Sequence, residues 1–288
     1  MTGTGTQADP YIVGTWAEFA SVCNISTSTY IVWEDGETDF NDVQPEGFTA
    51  KIQIQGNITL RRCIFRNAAF RQTDWAFQFE AGSDGILFDK CKILDIEHYV
   101  KSATRKGFIY RNSGTVTFDE CELSYQGDGG NNTGTEYLCY HSSNSGTVVF
   151  NRCGIKFKYS SSYSSSTFSI TNDDYSGFTY CFVELDINCA TMNGLFPGLI
   201  CWYSGKITLT QNCSIGSSGS PGSVVVDVEC NHTITYTSAS AYSYMILYNS
   251  EKATLSGDRV VGVTTAQLQN TEYLGGIGFP AREGGNGS

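Results

Sequence analysis

Val116-Thr117-Phe118-Asp119-Glu120-Cys121-Glu122-Leu123 is the stretch whose reading decides the fold. Val116 to Phe118 alternates apolar and polar residues, the period-2 pattern of a strand with one buried face. The next apolar residue then comes three positions later, at Cys121, and the alternation resumes with Leu123. On a straight strand that slip would turn Cys121 to the opposite face. The stretch therefore predicts a corner at Asp119-Glu120, with Cys121 and Leu123 facing the same interior as Val116 and Phe118. The pattern occurs three more times, as Ile58-x-Leu60-x-x-Cys63-x-Phe65, Ile86-x-Phe88-x-x-Cys91-x-Ile93 and Val148-x-Phe150-x-x-Cys153-x-Ile155. From cysteine to cysteine the steps are 28, 30 and 32 residues. A fixed period in this range marks a solenoid.

A third strand precedes each pair, at Phe77-x-Phe79, Phe108-x-Tyr110, Leu138-x-Tyr140 and Phe168-x-Ile170. Three strands per repeat of about thirty residues describe one coil of an all-β, right-handed parallel β-helix. The β-branched and aromatic repeats disfavour a helical solenoid, and the repeated corner disfavours a stacked β-sandwich. Further on, Phe178-x-Tyr180-x-x-Val183-x-Leu185 fits the template with Val183 rather than Cys181 in the corner slot. Ile207-x-Leu209 then leads to Cys213, and Ala253-x-Leu255 to Asp258. The expected ladder is thus Cys63, Cys91, Cys121, Cys153, Val183 and Cys213. A slot shared by cysteine, valine and aspartate reads as a packing position and not a chemical one. Residues 216–245 fit either an irregular coil or a long loop.

The chain has 288 residues, 40% of them hydrophobic, enough to bury a substantial core in one solenoid domain. A net charge of −11 argues against nucleic acid or an anionic membrane as partner. No apolar run reaches the length of a membrane-spanning helix. Met1-Thr2-Gly3-Thr4 opens without the basic and apolar regions of a signal peptide, which sets the expectation of synthesis in the cytoplasm. Eleven cysteines, an odd number with no Cys-x-x-Cys pair, are expected to be reduced, small apolar core residues.

Both ends read as caps. Trp16, Phe19, Ala20 and Cys23 fall at helical spacing, and Thr15 with Glu18 forms a capping box, so a short helix is expected to cover the open first coil. Thr265 to Leu274 suggests a second short helix, followed by a Gly-rich tail from Gly275 to Ser288. The expected organisation is an N-terminal segment and capping helix over 1–28, the β-helix over 29–263 and a C-terminal segment over 264–288. Gly3-Thr4-Gly5-Thr6-Gln7-Ala8-Asp9-Pro10-Tyr11-Ile12, followed by Trp16 and Phe19, resembles the opening of bacterial-surface and phage-virion β-helix proteins. Asn41 to Gly47 is similar to a stretch in the first coils of such chains, and Thr264 to Gln269 through Gly278-Phe279 to the segment that closes them. The resemblance covers about the first fifty and the last twenty-five residues, and its motifs carry no catalytic side chain.

Few groups suggest chemistry. Asp173-Asp174, between two predicted strands, is the best carboxylate pair for a polysaccharide-cleaving site. Cys139 and His141 share a strand face, which points outward if Leu138 and Tyr140 point in, but no second cluster completes a zinc site. His98 and His232 show no evident partner. Tyr159 and Tyr163 flank the Ser-rich run Tyr159-Ser-Ser-Ser-Tyr163-Ser-Ser-Ser166 and are the candidate ligand-contacting residues. No cofactor or metal is expected. The sequence leads to a non-enzymatic virion protein of a phage, a tail fibre, spike or head decoration. Its expected partners are other virion proteins, copies of itself and host-surface glycans. A tail-borne polysaccharide depolymerase and a secreted bacterial adhesin are the alternatives.

Overall fold

The computed structural model describes residues 1–48, 51–71, 74–99, 105–130, 134–141, 147–171, 176–193, 200–217, 223–238, 246–257 and 259–277. Strands dominate, and among the described residues every pairing between strands is parallel. The chain is a parallel β-helix. Each coil lays its strands directly on those of the coil before. Val116–Asp119, for example, lies between Trp75–Asp89 and Val148–Asn151, with Phe118 opposite Phe88 on one side and Phe150 on the other. After the corner, Glu122–Gly130 lies between Lys92–His98 and Gly154–Ser161. A third row is formed by Trp75–Asp89, Arg105–Ser113, Thr135–His141, Thr167–Thr171 and Thr191–Asn193.

The corner predicted at Asp119-Glu120 is built by one left-handed residue. Glu120 has φ +52°, and the equivalent Asp35, Arg62, Lys90, Arg152 and Tyr180 have φ between +52° and +55°. Non-glycine residues seldom adopt this conformation, so six in a row show that coil stacking imposes it. Inter-coil hydrogen bonds do so from both sides. Glu120 N–H donates to the Asn151 carbonyl of the next coil at 2.9 Å, and Glu122 N–H donates to the Cys91 carbonyl of the previous one at 3.0 Å. Outside the bend, opposite charges pair between coils: Arg62 pairs with Asp35 at 2.6 Å, and Arg152 bridges Asp119 at 2.8 Å and Glu120 at 3.1 Å. These pairs are exposed, so solvent screening leaves each of them a small part of the stability.

Inside, the rows become side-chain ladders. Phe88, Phe118, Phe150 and Phe178 stack with ring centroids 4.6, 5.0 and 4.7 Å apart. These separations are the coil spacing itself, close to the usual distance between paired strands.

The first coil is closed by α1, Trp16–Val22. Thr15 is its N-cap and accepts from Glu18 N–H, while Glu18 reaches back to Gly14 N–H rather than to Thr15. Phe19 lies 5.2 Å from Trp33, and Trp16 packs edge-on to Phe40 at 4.8 Å, so the helix covers the apolar mouth of the coil. Before it, the strand Tyr11–Val13 pairs in parallel with Tyr30–Glu34, so the solenoid's sheet begins ahead of the capping helix.

At the other end the single expected helix is two, α2 (Thr265–Leu268) and α3 (Thr271–Gly276). Leu268 and Leu274 pack with Val225, Leu247 and Val263. Val224 and Val226, of opposite parity on the same strand, belong to the main core, so α2 and α3 lie on the outer face of the sheet. Residues 216–245 belong to the solenoid where described: Ser223–Cys230 pairs with Ile200–Leu209, and Thr233–Ser238 with Cys213–Ser217.

Candidate functional sites

The register alters the cysteine ladder. Gly154 pairs with Phe182 and Ile155 with Val183, which puts Cys181, not Val183, in the slot after Cys153. Cys181 pairs in turn with Cys201, not Cys213. Cys213 belongs to a separate three-stranded sheet, opposite Ile234. The slot therefore holds cysteine in six successive coils, Cys63, Cys91, Cys121, Cys153, Cys181 and Cys201. Val224, Ile246 and Val260 follow in the same column. Asp258 lies outside the described residues.

All six thiols are buried and free. Cys121 Sγ donates to the Phe88 carbonyl at 3.3 Å, and the same bond to the preceding coil recurs at Cys63, Cys91, Cys153 and Cys181. Interaction with the neighbouring thiols, together with burial, raises the pKa of Cys63, Cys121 and Cys181, while the same interaction draws Cys91 and Cys153 downward against the cost of burial. Beside the phenylalanine stack a thiolate would lose more hydration than these weak bonds return, so the column is one of neutral thiols. Burial alone pushes Cys201 up to about 12.

A second cluster, unforeseen in the sequence, lies inside the solenoid. His98, Lys106 and Glu136 are fully buried. Glu136 lies 3.7 Å from His98 Nδ1 and 3.8 Å from Lys106 Nζ, and it accepts from Tyr125 Oη. Lys106 also donates to the Asp128 carbonyl at 3.4 Å. His98 thus has a carboxylate partner that its sequence context did not reveal. Burial first, then the Glu136 charge, drives the Tyr125 phenol well above its ordinary pKa. With every side chain enclosed, the cluster reads as a neutralising internal network.

The outer surface offers two further features. A shallow groove of about 320 Å³ on the second strand row is lined by Asp95, Glu97, Lys156, Lys158, Glu184 and Asp186. Lys156 pairs with Glu184 at 3.3 Å. On the third row, aromatic rings cluster around Trp75, with Tyr110 and Tyr140 each 5.3 Å and Tyr137 6.2 Å away. Tyr110 and Tyr140 stack nearly parallel at 5.9 Å, with Arg105 over the Tyr140 ring. On the spacing Phe108-x-Tyr110 and Leu138-x-Tyr140, the tyrosines would share a face with Phe108 and Leu138. Instead Phe108-Ile109 and Leu138-Cys139 are each buried as consecutive pairs, which shifts the alternation and leaves both tyrosines half-buried. Gln53, Gln78, Tyr110 and Tyr140 occupy successive register positions along this row.

Asp173 and Asp174 lie outside the described residues. Tyr159 is only 1% exposed and stacks near Phe168, so it is a core residue and not a surface contact. The alternation Ile155, Phe157, Tyr159 along Gly154–Ser161 carried that signal. Tyr163 is 37% exposed, as a surface contact requires. Cys139 is fully buried and does not face outward. Among the described residues, no group of three or more His, Cys, Asp or Glu side chains is placed to hold a metal ion, and no helix is long and apolar enough to cross a membrane.

No protein-family model, curated protein or solved structure matches the chain.

Proposed function

We propose that the chain is a structural protein of a bacteriophage virion, a β-helix carried in a tail fibre, spike or head decoration and held by contacts with other virion proteins. The observation that carries this reading is the sealed first coil. Gly3 to Ile12, Trp16 and Phe19, the residues through which the chain resembles virion and surface β-helix proteins, are those that close it: Tyr30 N–H donates to the Gly5 carbonyl, and Phe19 rests on Trp33. Buried ladders and a surface of inter-coil ion pairs suit a rigid rod. In a fibre or spike, copies would assemble with cyclic symmetry. Host glycans would meet the chain at the exposed Tyr163, in place of the buried Tyr159. Mass spectrometry and cryo-EM of purified virions encoding the chain test this reading. The expected result is its presence at a symmetric site. Its absence from the particle, with recovery from the host surface, would favour an adhesin.

The groove lined by Asp95, Glu97, Glu184 and Asp186 favours a second reading, a polysaccharide depolymerase. Reducing-sugar release from host capsule, abolished by Glu184→Gln or Asp186→Asn, would establish it.

A further inference from the structure

We propose that the thiol column is a binding site for soft, two-coordinate d10 cations such as Ag(I) and Cu(I). Each ion would form a linear S–M–S bridge between cysteines of successive coils. This inference does not depend on the virion reading.

Three observations carry it. First, the corrected register leaves no gap: Cys63, Cys91, Cys121, Cys153, Cys181 and Cys201 stand one above another. Second, the coil spacing fits. The adjoining phenylalanines are 4.6 to 5.0 Å apart, and two metal–thiolate bonds of about 2.3 Å each span roughly 4.6 Å. Third, the ligand set is sulfur alone, in a line. Cys63, Cys91, Cys121, Cys153 and Cys181 each donate to a carbonyl of the preceding coil, while Phe88, Phe118, Phe150 and Phe178 form the neighbouring inward row. Soft thiolates select Cu(I)-like ions, and a linear column cannot supply the tetrahedral set that zinc requires.

The chemistry balances without an oxidant. A monovalent ion entering between two thiols displaces one proton to solvent. One S–H bond breaks, a metal–thiolate bond forms in its place, and the second thiol donates a lone pair with its proton retained. The bridge is neutral, as an apolar interior demands. Filling alternate gaps between six rungs accommodates three ions per chain.

The test uses the full-length chain with Cys23, Cys139, Cys189, Cys213 and Cys230 replaced by Ala, so that only the column remains. Silver(I) or zinc(II) is supplied in chloride-free buffer, to the folded protein and during refolding, and uptake is counted by native mass spectrometry. Three silver ions and no zinc are expected, with a raised melting temperature. Cys121→Val in this background should take up two, and valine is tolerated in the slot at position 224. No silver uptake, equal uptake of zinc, or three ions retained in Cys121→Val would overturn the proposal. Replacing all six column cysteines by Val in the native background should abolish the silver-dependent rise in melting temperature. Persistence of that rise would place binding elsewhere.

Discussion

Cys181 stands in register with Cys201 of the next coil, although only 20 residues separate them where earlier coils use 28 to 32. The pairing holds because Ser176–Cys189 and Ile200–Leu209 match residue for residue from Cys181 to Cys189. The shortened coil keeps the column and drops the connecting length.

The first consequence concerns the slot itself. Cys121→Val should change stability by less than about 1.5 kcal/mol, since Val224 fills the same position later in the stack. Cys121→Asp should cost more than about 3 kcal/mol, because it buries a carboxylate with no partner. Urea denaturation of the two variants makes the comparison.

Glu120→Val should cost about 1–2 kcal/mol, because a β-branched residue is strained at φ +52°. Glu120→Asn, which tolerates that conformation, should cost less even though it also removes the pairing with Arg152. Equal losses from the two would mean that the charge and not the backbone governs the corner.

Two glycines are places where coils touch too closely for a side chain. A Cβ on Gly107 would lie 1.9 Å from the Tyr137 carbonyl oxygen, and one on Gly205 would lie 2.0 Å from that of Leu185, at φ +155° and +118°. Alanine at either position should cost about 3 kcal/mol or more. Thermal melting of the two variants should show large drops.

Tyr159 and Tyr163, equal partners in the Ser-rich run, should behave oppositely. Tyr159→Ala should destabilise by about 3–5 kcal/mol as a buried ring is lost. Tyr163→Ala should stay within about 0.5 kcal/mol. Chemical denaturation distinguishes them directly.

Acid should weaken the fold through surface carboxylates. Asp35 is lowered by its hydrogen bond to Arg62, Asp39 by the Asn41 amide and then Asn67, and Glu251 by Thr265. A carboxyl whose pKa is lower in the folded chain stabilises it above the unfolded value. That contribution fades as pH falls through the folded value. Melting temperature should therefore be flat from neutral pH down to about 5 and decline below about 4. Asp35→Asn should reduce the acid-side slope.

The repeat, the corner and the capping helix were legible because each rests on local patterning. Asp119-Glu120 betrayed the bend by breaking a period of two, and Thr15 with Glu18 marked the helix start. The register beyond Cys153 was not legible, because the corner residue there is aromatic. Tyr180 is the equivalent of Glu120, with φ +54° and 55% exposure, yet in sequence it reads as an inward strand residue. Taking it for one moved the slot from Cys181 to Val183 and the next from Cys201 to Cys213. The ionic cluster was illegible for another reason. His98, Lys106 and Glu136 come from three successive coils, and only stacking brings them together inside an apolar interior. The pairing of His98 with Glu136 has no short-range signal.

The most direct test of the account is a sulfur anomalous difference map from crystals of the native chain. The stacking described here predicts a continuous column of six peaks for Cys63, Cys91, Cys121, Cys153, Cys181 and Cys201, spaced by about 4.8 Å. Cys213 should lie off that line. A column broken after Cys153, or one that runs through Cys213 and excludes Cys201, would contradict it.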